Sequence, residues 1–192
     1  AVGALKGVAT VGLAGVGTAV AALAGVGKSA LDAYATYEQA VGGVDTLFKG
    51  ASGTVQKYAA EAYRTAGVSA NEYMTQVTSF SASLISSLGG DTAKAAELGN
   101  TAMIDMSDNA NKMGTDIESI QQTYQSLARG NYAMLDNLKL GYGGTKSEME
   151  RLIQDANKVK QANGEMGDLS IDKFSDVVQA IHIMQELSLI HI

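Results

Sequence analysis

AGVSANEYMTQVTSFSASLISSLGGD, residues 66–91, carries a start signal, a period and a stop signal for one helix. Ser69 and Glu72 are spaced as a capping box, in which each side chain satisfies a free backbone N–H beside the other residue. Behind them Tyr73, Val77, Phe80, Leu84 and Leu88 advance by four, three, four and four. That stripe lies on one face of a helix and on no face of a strand. Gly89-Gly90 then ends it, and Asp91 is placed to cap the next helix.

The same grammar extends in both directions. After Asp91, Ala95, Leu98, Ala102, Met106, Ala110 and Met113 again step by three or four, and Gly114 closes the run. Thr115 and Glu118 form a second capping box ahead of Ile117, Ile120, Tyr124 and Leu127. A short helical piece is expected at 132–137. The glycine loop LGYGGTK (140–146) follows, then a third box, Thr145 with Glu148, opening a helix that buries Met149, Leu152, Ala156 and Val159. Residues 162–169 (ANGEMGDL) read as a polar loop, after which Ser170 is expected to cap a last helix bearing Ile171, Phe174, Val178 and Ile181. Upstream, residues 54–66 form an amphipathic piece ended by Gly67, and the N-terminal helix is expected to run to about Gln39 before Gly42-Gly43 stops it. No stretch alternates as a strand does. The expected fold is all-α: a long small-residue helix (1–41), then a bundle of about six amphipathic helices joined by glycine-rich turns (42–186).

Composition narrows the chemistry. The chain has no Cys, which excludes disulfides, thiolate metal sites and Cys nucleophiles but leaves the compartment open. It also lacks Pro and Trp, so glycine is its main punctuation and Ala, Leu, Ile, Val and Met must build its core. The net charge of −6 argues against nucleic-acid binding as the main purpose. Residues 1–70 hold five basic and four acidic groups, leaving the excess acid to residues 71–192, a solvated face.

Residues 7–27 are uncharged between Lys6 and Lys28. Such a run is long enough to cross a bilayer of roughly 30 Å. Its six Gly, six Ala and two Thr make its hydropathy borderline, and they suit a closely packed helix equally well. Leu13, Val16, Val20 and Leu23 form its candidate membrane or helix-packing face, extended by Leu31 and Tyr34. ALAGVGKS (22–29) is close to a phosphate-binding loop, but Ala22 stands where the first glycine belongs and the setting is helical, so no nucleotide site is expected. His182, inside AIHIM, reads as a packed or half-exposed residue and not as a base or ligand. Asp105 and Asp108 are one turn apart but lack convergent ligands, and read as capping or exposed groups. No catalytic residue, cofactor or metal ligand is expected.

Two features of the ends are expectations of their own. The chain starts at Ala1 without Met, as an internal fragment or processed product would. Its last six residues, LSLIHI (187–192), break the helical period before them and are encoded by CTG TCT CTT ATA CAC ATC, which resembles a transposase end used in sequencing libraries. They are expected to be a translated adapter.

YEQAVGGVDTLF (37–48), residues 66–91, residues 95–153 with the strings MSDNANKMGT (106–115) and NYAMLDNLKLGYGGTK (131–146), and QAIHIMQE (179–186) together resemble the core region of phage tail tape measure proteins. The similarity is to those of long-tailed phages and prophages of Gram-positive bacteria and spans about residues 28–186. It implies a helical, non-enzymatic virion protein acting in tail assembly, tail-length determination and genome ejection. The implied partners are the tail tube, tail-tip or initiator proteins, tail-assembly chaperones, further copies of itself and the host membrane during ejection. The alternative is a pore-forming protein whose N-terminal helix inserts into a membrane.

Overall fold

The structure is a computed structural model that describes the backbone of residues 16–190 and the side chains of residues 32–188. It is helical throughout, with no strand among the described residues. The helices are α1 (Val16–Phe48), α2 (Ser52–Thr65), α3 (Ala70–Ser87), α4 (Thr92–Met113), α5 (Ile117–Leu127), α6 (Lys146–Ala162) and α7 (Phe174–Ile190), with 3-10 turns at Lys49–Ala51 and Leu135–Leu138. The chain divides into two compact units, Ala1–Gln39 and Ala40–Ile192. The first contains the N-terminal part of α1. In the second, α2 to α7 pack together, and α4 sits at the centre, touching α2, α3, α5 and α7.

Burial follows the expected stripes. Tyr73, Val77 and Leu84 of α3, Ala95, Ala102 and Met106 of α4, Ile120 and Tyr124 of α5, Met149, Leu152 and Ala156 of α6, and Val178 and Ile181 of α7 are all buried. Phe80 lies near Tyr124 and meets Phe174 edge-on, with centroids 6.3 Å apart, so one aromatic group joins α3, α5 and α7.

The expected stop at Gly42-Gly43 fails. Helix α1 runs through both glycines to Phe48, because Val44 and Phe48 just beyond them are completely buried. Burying those two side chains contributes roughly 1.5–3 kcal/mol each, more than the ~1 kcal/mol that each helical glycine costs. The break comes at Lys49, whose φ is +49°.

Three start signals also need correction. Ser69 Oγ accepts from the Glu72 N–H, as expected. The Glu72 carboxylate, however, accepts from Gln76 Nε2 and does not close the box. The cap of α5 is Asp116, which accepts from the Ser119 N–H at 3.0 Å, and not Thr115. A carboxylate one residue later satisfies the same kind of orphan donor and complements the positive helix end. Ser170 does not cap α7. Its hydroxyl accepts from the Asp172 N–H in a local turn, its own N–H donates to Asp176, and the helix starts at Phe174. Toward the C-terminus, LSLIHI does not break the period where expected: α7 continues to Ile190 and Leu187 packs partly against the core.

Among the described residues no helix is long and apolar enough to cross a membrane. Leu13 lies outside the described residues. Of Val16, Val20 and Leu23 only the backbone is described, inside α1. Residues 22–29 are helical in the same element, which is not the conformation of a phosphate-binding loop.

Candidate functional site

The most concentrated chemistry in the second unit lies where α4, α7 and the Leu135–Leu138 turn meet. Asp105 comes from α4, and its side chain is 7% exposed. It therefore does not have the capping or exposed role expected of it. Both its carboxylate oxygens lie 3.0 Å from His182 Nδ1 on α7. Four residues along α4, Asn109 is completely buried and donates from Nδ2 to the Leu138 carbonyl at 2.8 Å and to Gln185 Oε1 at 3.3 Å. Gln185 in turn donates from Nε2 to the Asp105 carbonyl at 2.7 Å. The i, i+4 spacing of Asp105 and Asn109 meets His182 and Gln185, three apart on α7, so two helix faces interlock by polar groups.

A second set of bonds holds the long connection after α5 onto this centre. Lys139 Nζ donates to the Met113 carbonyl at 3.0 Å, where Gly114 in the left-handed conformation ends α4. A cation there also suits the negative end of that helix. Thr123 Oγ1 donates to the Met134 carbonyl, and Asn137 Nδ2 donates to Thr123 Oγ1. Past the turn, Tyr142 donates to Asp155 while the Arg151 guanidinium stacks on the Tyr142 ring, 4.5 Å from its centroid. Arg151 also donates to the Gly141 carbonyl and to Glu148.

Burial pushes the Asp105 carboxyl above the usual carboxylate range, opposed by the hydrogen bond and charge of His182. The same hydrogen bond raises His182 above an ordinary imidazole, against a smaller loss from burial. The charges around the pair are Asp108 and Lys112 on α4 and Glu186 on α7, whose carboxylate lies 3.7 Å from His182 Nε2. A group raised in the folded state contributes stability that is present below its unfolded value and is lost as the pH rises through its folded value. For His182 that window opens at about pH 6.5 and runs upward. We therefore expect stability to urea to fall as the pH rises above about 6.5, and His182→Gln to flatten that slope. Urea titrations followed by circular dichroism check this; an unchanged slope in the variant contradicts it.

The His182–Asp105 pair has the orientation of an acid–base dyad and, with Asn109 and Gln185, ties α7 to α4. Among the described residues no group of three His, Asp or Glu side chains is placed to hold a metal ion. Asp108 stays half-exposed. Asn109, Gln185 and Lys139 were invisible as site residues from sequence, since each is a polar residue whose partner lies tens of positions away. No family model matches the chain, and no curated protein and no solved structure is found to be similar to it.

Proposed function

We propose that this chain is part of the core region of a phage tail tape measure protein, a virion component that works by assembly and ejection and not by catalysis. The observation that carries the reading is the wording of residues 106–115 and 131–146, two long uncommon strings that resemble that family. There is a physical reason for a chain to keep such strings together. Asn109 and Met113 belong to the first, Leu138 and Lys139 to the second, and they bond directly to each other. QAIHIMQE, also among the resembling segments, supplies His182 and Gln185 to the same network.

In this reading a long small-residue helix precedes a helical module joined by glycine-rich turns. The module is an end piece that docks to tail-tip or initiator proteins, with chaperones and the tail tube as its other partners. It acts in the tail lumen after synthesis in the bacterial cytoplasm, and its N-terminal helix contacts further copies or the host membrane during ejection. A ruler lengthens by 1.5 Å for every helical residue added, whereas the turns and caps here suit a packed module.

An in-frame deletion within residues 95–153 of the encoding phage or prophage tests this. The expected result is loss of assembled tails by electron microscopy. Proportionally shorter tails would make the segment the ruler instead, and tails of normal length and infectivity would remove the tail reading altogether.

A further inference from the structure

The connection between α6 and α7 carries a reactive pair. Asn163-Gly164 is the one Asn-Gly pair in the chain. Asn163 is the C-cap of α6, with φ −85° and ψ 0°. Gly164 follows in the left-handed conformation, φ +75°, which glycine adopts without penalty. Every residue from 161 to 168 is exposed.

The backbone nitrogen of the residue after an asparagine can attack the side-chain amide carbon, since the ring so closed has five members. Two things ordinarily prevent it: a following side chain that shields the nitrogen, and a rigid backbone that holds it away. Gly164 has no side chain, and a Cβ there would meet nothing within 4 Å, so no other part of the described chain shields the position. The backbone hold is slight. The Gly164 N–H donates to the Gln161 carbonyl at 3.0 Å and the Glu165 N–H to the Lys160 carbonyl at 2.9 Å. These are the last bonds of a helix whose end lies in solvent, the part of a helix that opens at least cost. Opening them frees ψ of Asn163 to bring the Gly164 nitrogen to Cγ.

We infer that Asn163 is a self-modification site, converted through a succinimide with Gly164 into isoaspartate and aspartate. The Gly164 N–H gives its proton to solvent base, the nitrogen bonds to Asn163 Cγ, and the Asn163 amide nitrogen leaves as ammonia. Water then adds to one of the two ring carbonyls. Breaking the bond from nitrogen to Cγ gives aspartate with the original backbone. Breaking the bond from nitrogen to the backbone carbonyl carbon gives isoaspartate, whose main chain runs through Cβ and Cγ. Nothing is oxidised or reduced, and water is the only co-reactant. Either product adds a negative charge near Glu165 and Asp168, at the negative end of α6. The change needs no enzyme, so it accumulates with the age of the molecule.

The disturbance stops at Leu169. Its N–H donates to Asn157 Oδ1 at 2.8 Å, its carbonyl accepts from Asn157 Nδ2 at 3.0 Å, and its side chain is buried. Asn157, bonded at both ends of its amide and followed by Lys158, is the internal control. The connection ages while α7 keeps its place.

The test incubates the 192-residue chain at mildly alkaline pH and maps its peptides by mass spectrometry. Trypsin, cutting after Lys160 and Lys173, leaves Asn163 as the one asparagine in its peptide. That peptide should gain the mass of an amide turned acid and split into two chromatographic forms, while Asn157 and Asn109 keep their amides. Asn163→Gln should lose the conversion, because its ring would need six members. Aged wild-type protein should melt within about 4 °C of fresh protein. An Asn163 that keeps its amide, or converts no faster than Asn157, overturns the site. A larger fall in melting temperature, absent from aged Asn163→Gln, overturns the confinement of the change to the connection. Neither result bears on the tail reading, which the deletion decides.

Discussion

Asn109→Asp should be the most damaging isosteric change in the bundle, lowering its unfolding free energy by about 3–5 kcal/mol near neutral pH. One atom changes. The Nδ2 that donates to the Leu138 carbonyl at 2.8 Å and to Gln185 Oε1 at 3.3 Å becomes an acceptor facing two acceptors. The site is completely buried, so no water replaces the lost donor. Gln185 cannot turn its amide to help without giving up its 2.7 Å bond to the Asp105 carbonyl. Asn109→Ala is the informative comparison. It leaves the Leu138 carbonyl unpaired, at about 1–3 kcal/mol, but introduces no charge. The order wild type, then Ala, then Asp is therefore expected in urea melts. Lowering the pH should narrow the gap between Asp and Ala, since a protonated carboxyl regains an O–H donor toward Leu138. An Asp variant as stable as the Ala variant would mean that the new charge is not held against the two acceptors, and an Ala variant as stable as wild type would mean that the Leu138 contact contributes nothing.

The difference between what was and was not legible in the sequence is well seen along α4. Its stripe of Ala95, Ala102 and Met106 was readable because periodicity reports the face turned to the nearest neighbours. Gly99 and Asn109 lie on that same face and Met103 and Asp105 on its two flanks; all four are buried, although a glycine and polar side chains do not register as an apolar period. A central helix in contact with four others buries a wider arc, and that arc tolerates polar residues as long as partners arrive from elsewhere. The partners of Asp105 are 77 and 80 residues away in sequence. No local rule reaches that far. In AIHIM a histidine among apolar residues was the visible trace of this pairing, and it reads equally as an ordinary packed side chain.

Caps failed for a different reason. Thr115 and Asp116 are adjacent and both able to cap, although only Thr115 has a Glu three residues on. The helix took the carboxylate, and Thr115 Oγ1 is left buried with no hydrogen-bond partner. At Gly42-Gly43 local preference pointed to a stop, and burial of Val44 and Phe48 overrode it. Local signals thus located most elements and missed where long-range packing changes the balance by a kcal/mol or two.

The glycine loop before α6 leads to the second large effect, Gly144→Ala, expected to cost about 3 kcal/mol or more. In sequence LGYGGTK is simply a glycine loop, which does not tell its three glycines apart. The structure separates them. A Cβ on Gly144 would lie 2.2 Å from the Ala133 carbonyl oxygen and 2.9 Å from its carbon. The obstacle is backbone and cannot swing away as a side chain would, so the 131–145 connection must move. Movement strains what it anchors: the Thr145 cap on the Glu148 N–H, the Gly143 N–H donated to Glu148, and the Arg151 bond to the Gly141 carbonyl. Gly143→Ala, one residue earlier, meets only the flexible Cγ of Glu148 at 3.5 Å, an ordinary contact, and should cost under about 1 kcal/mol. In a domain of this size each kcal/mol lowers the melting temperature by about 2–4 °C. The Gly144 variant should then melt at least roughly 6 °C below wild type, with the Gly143 variant close to it. Equal melting temperatures for the two variants would show that the connection yields freely, and that the close approach at Ala133 does not hold the loop in place.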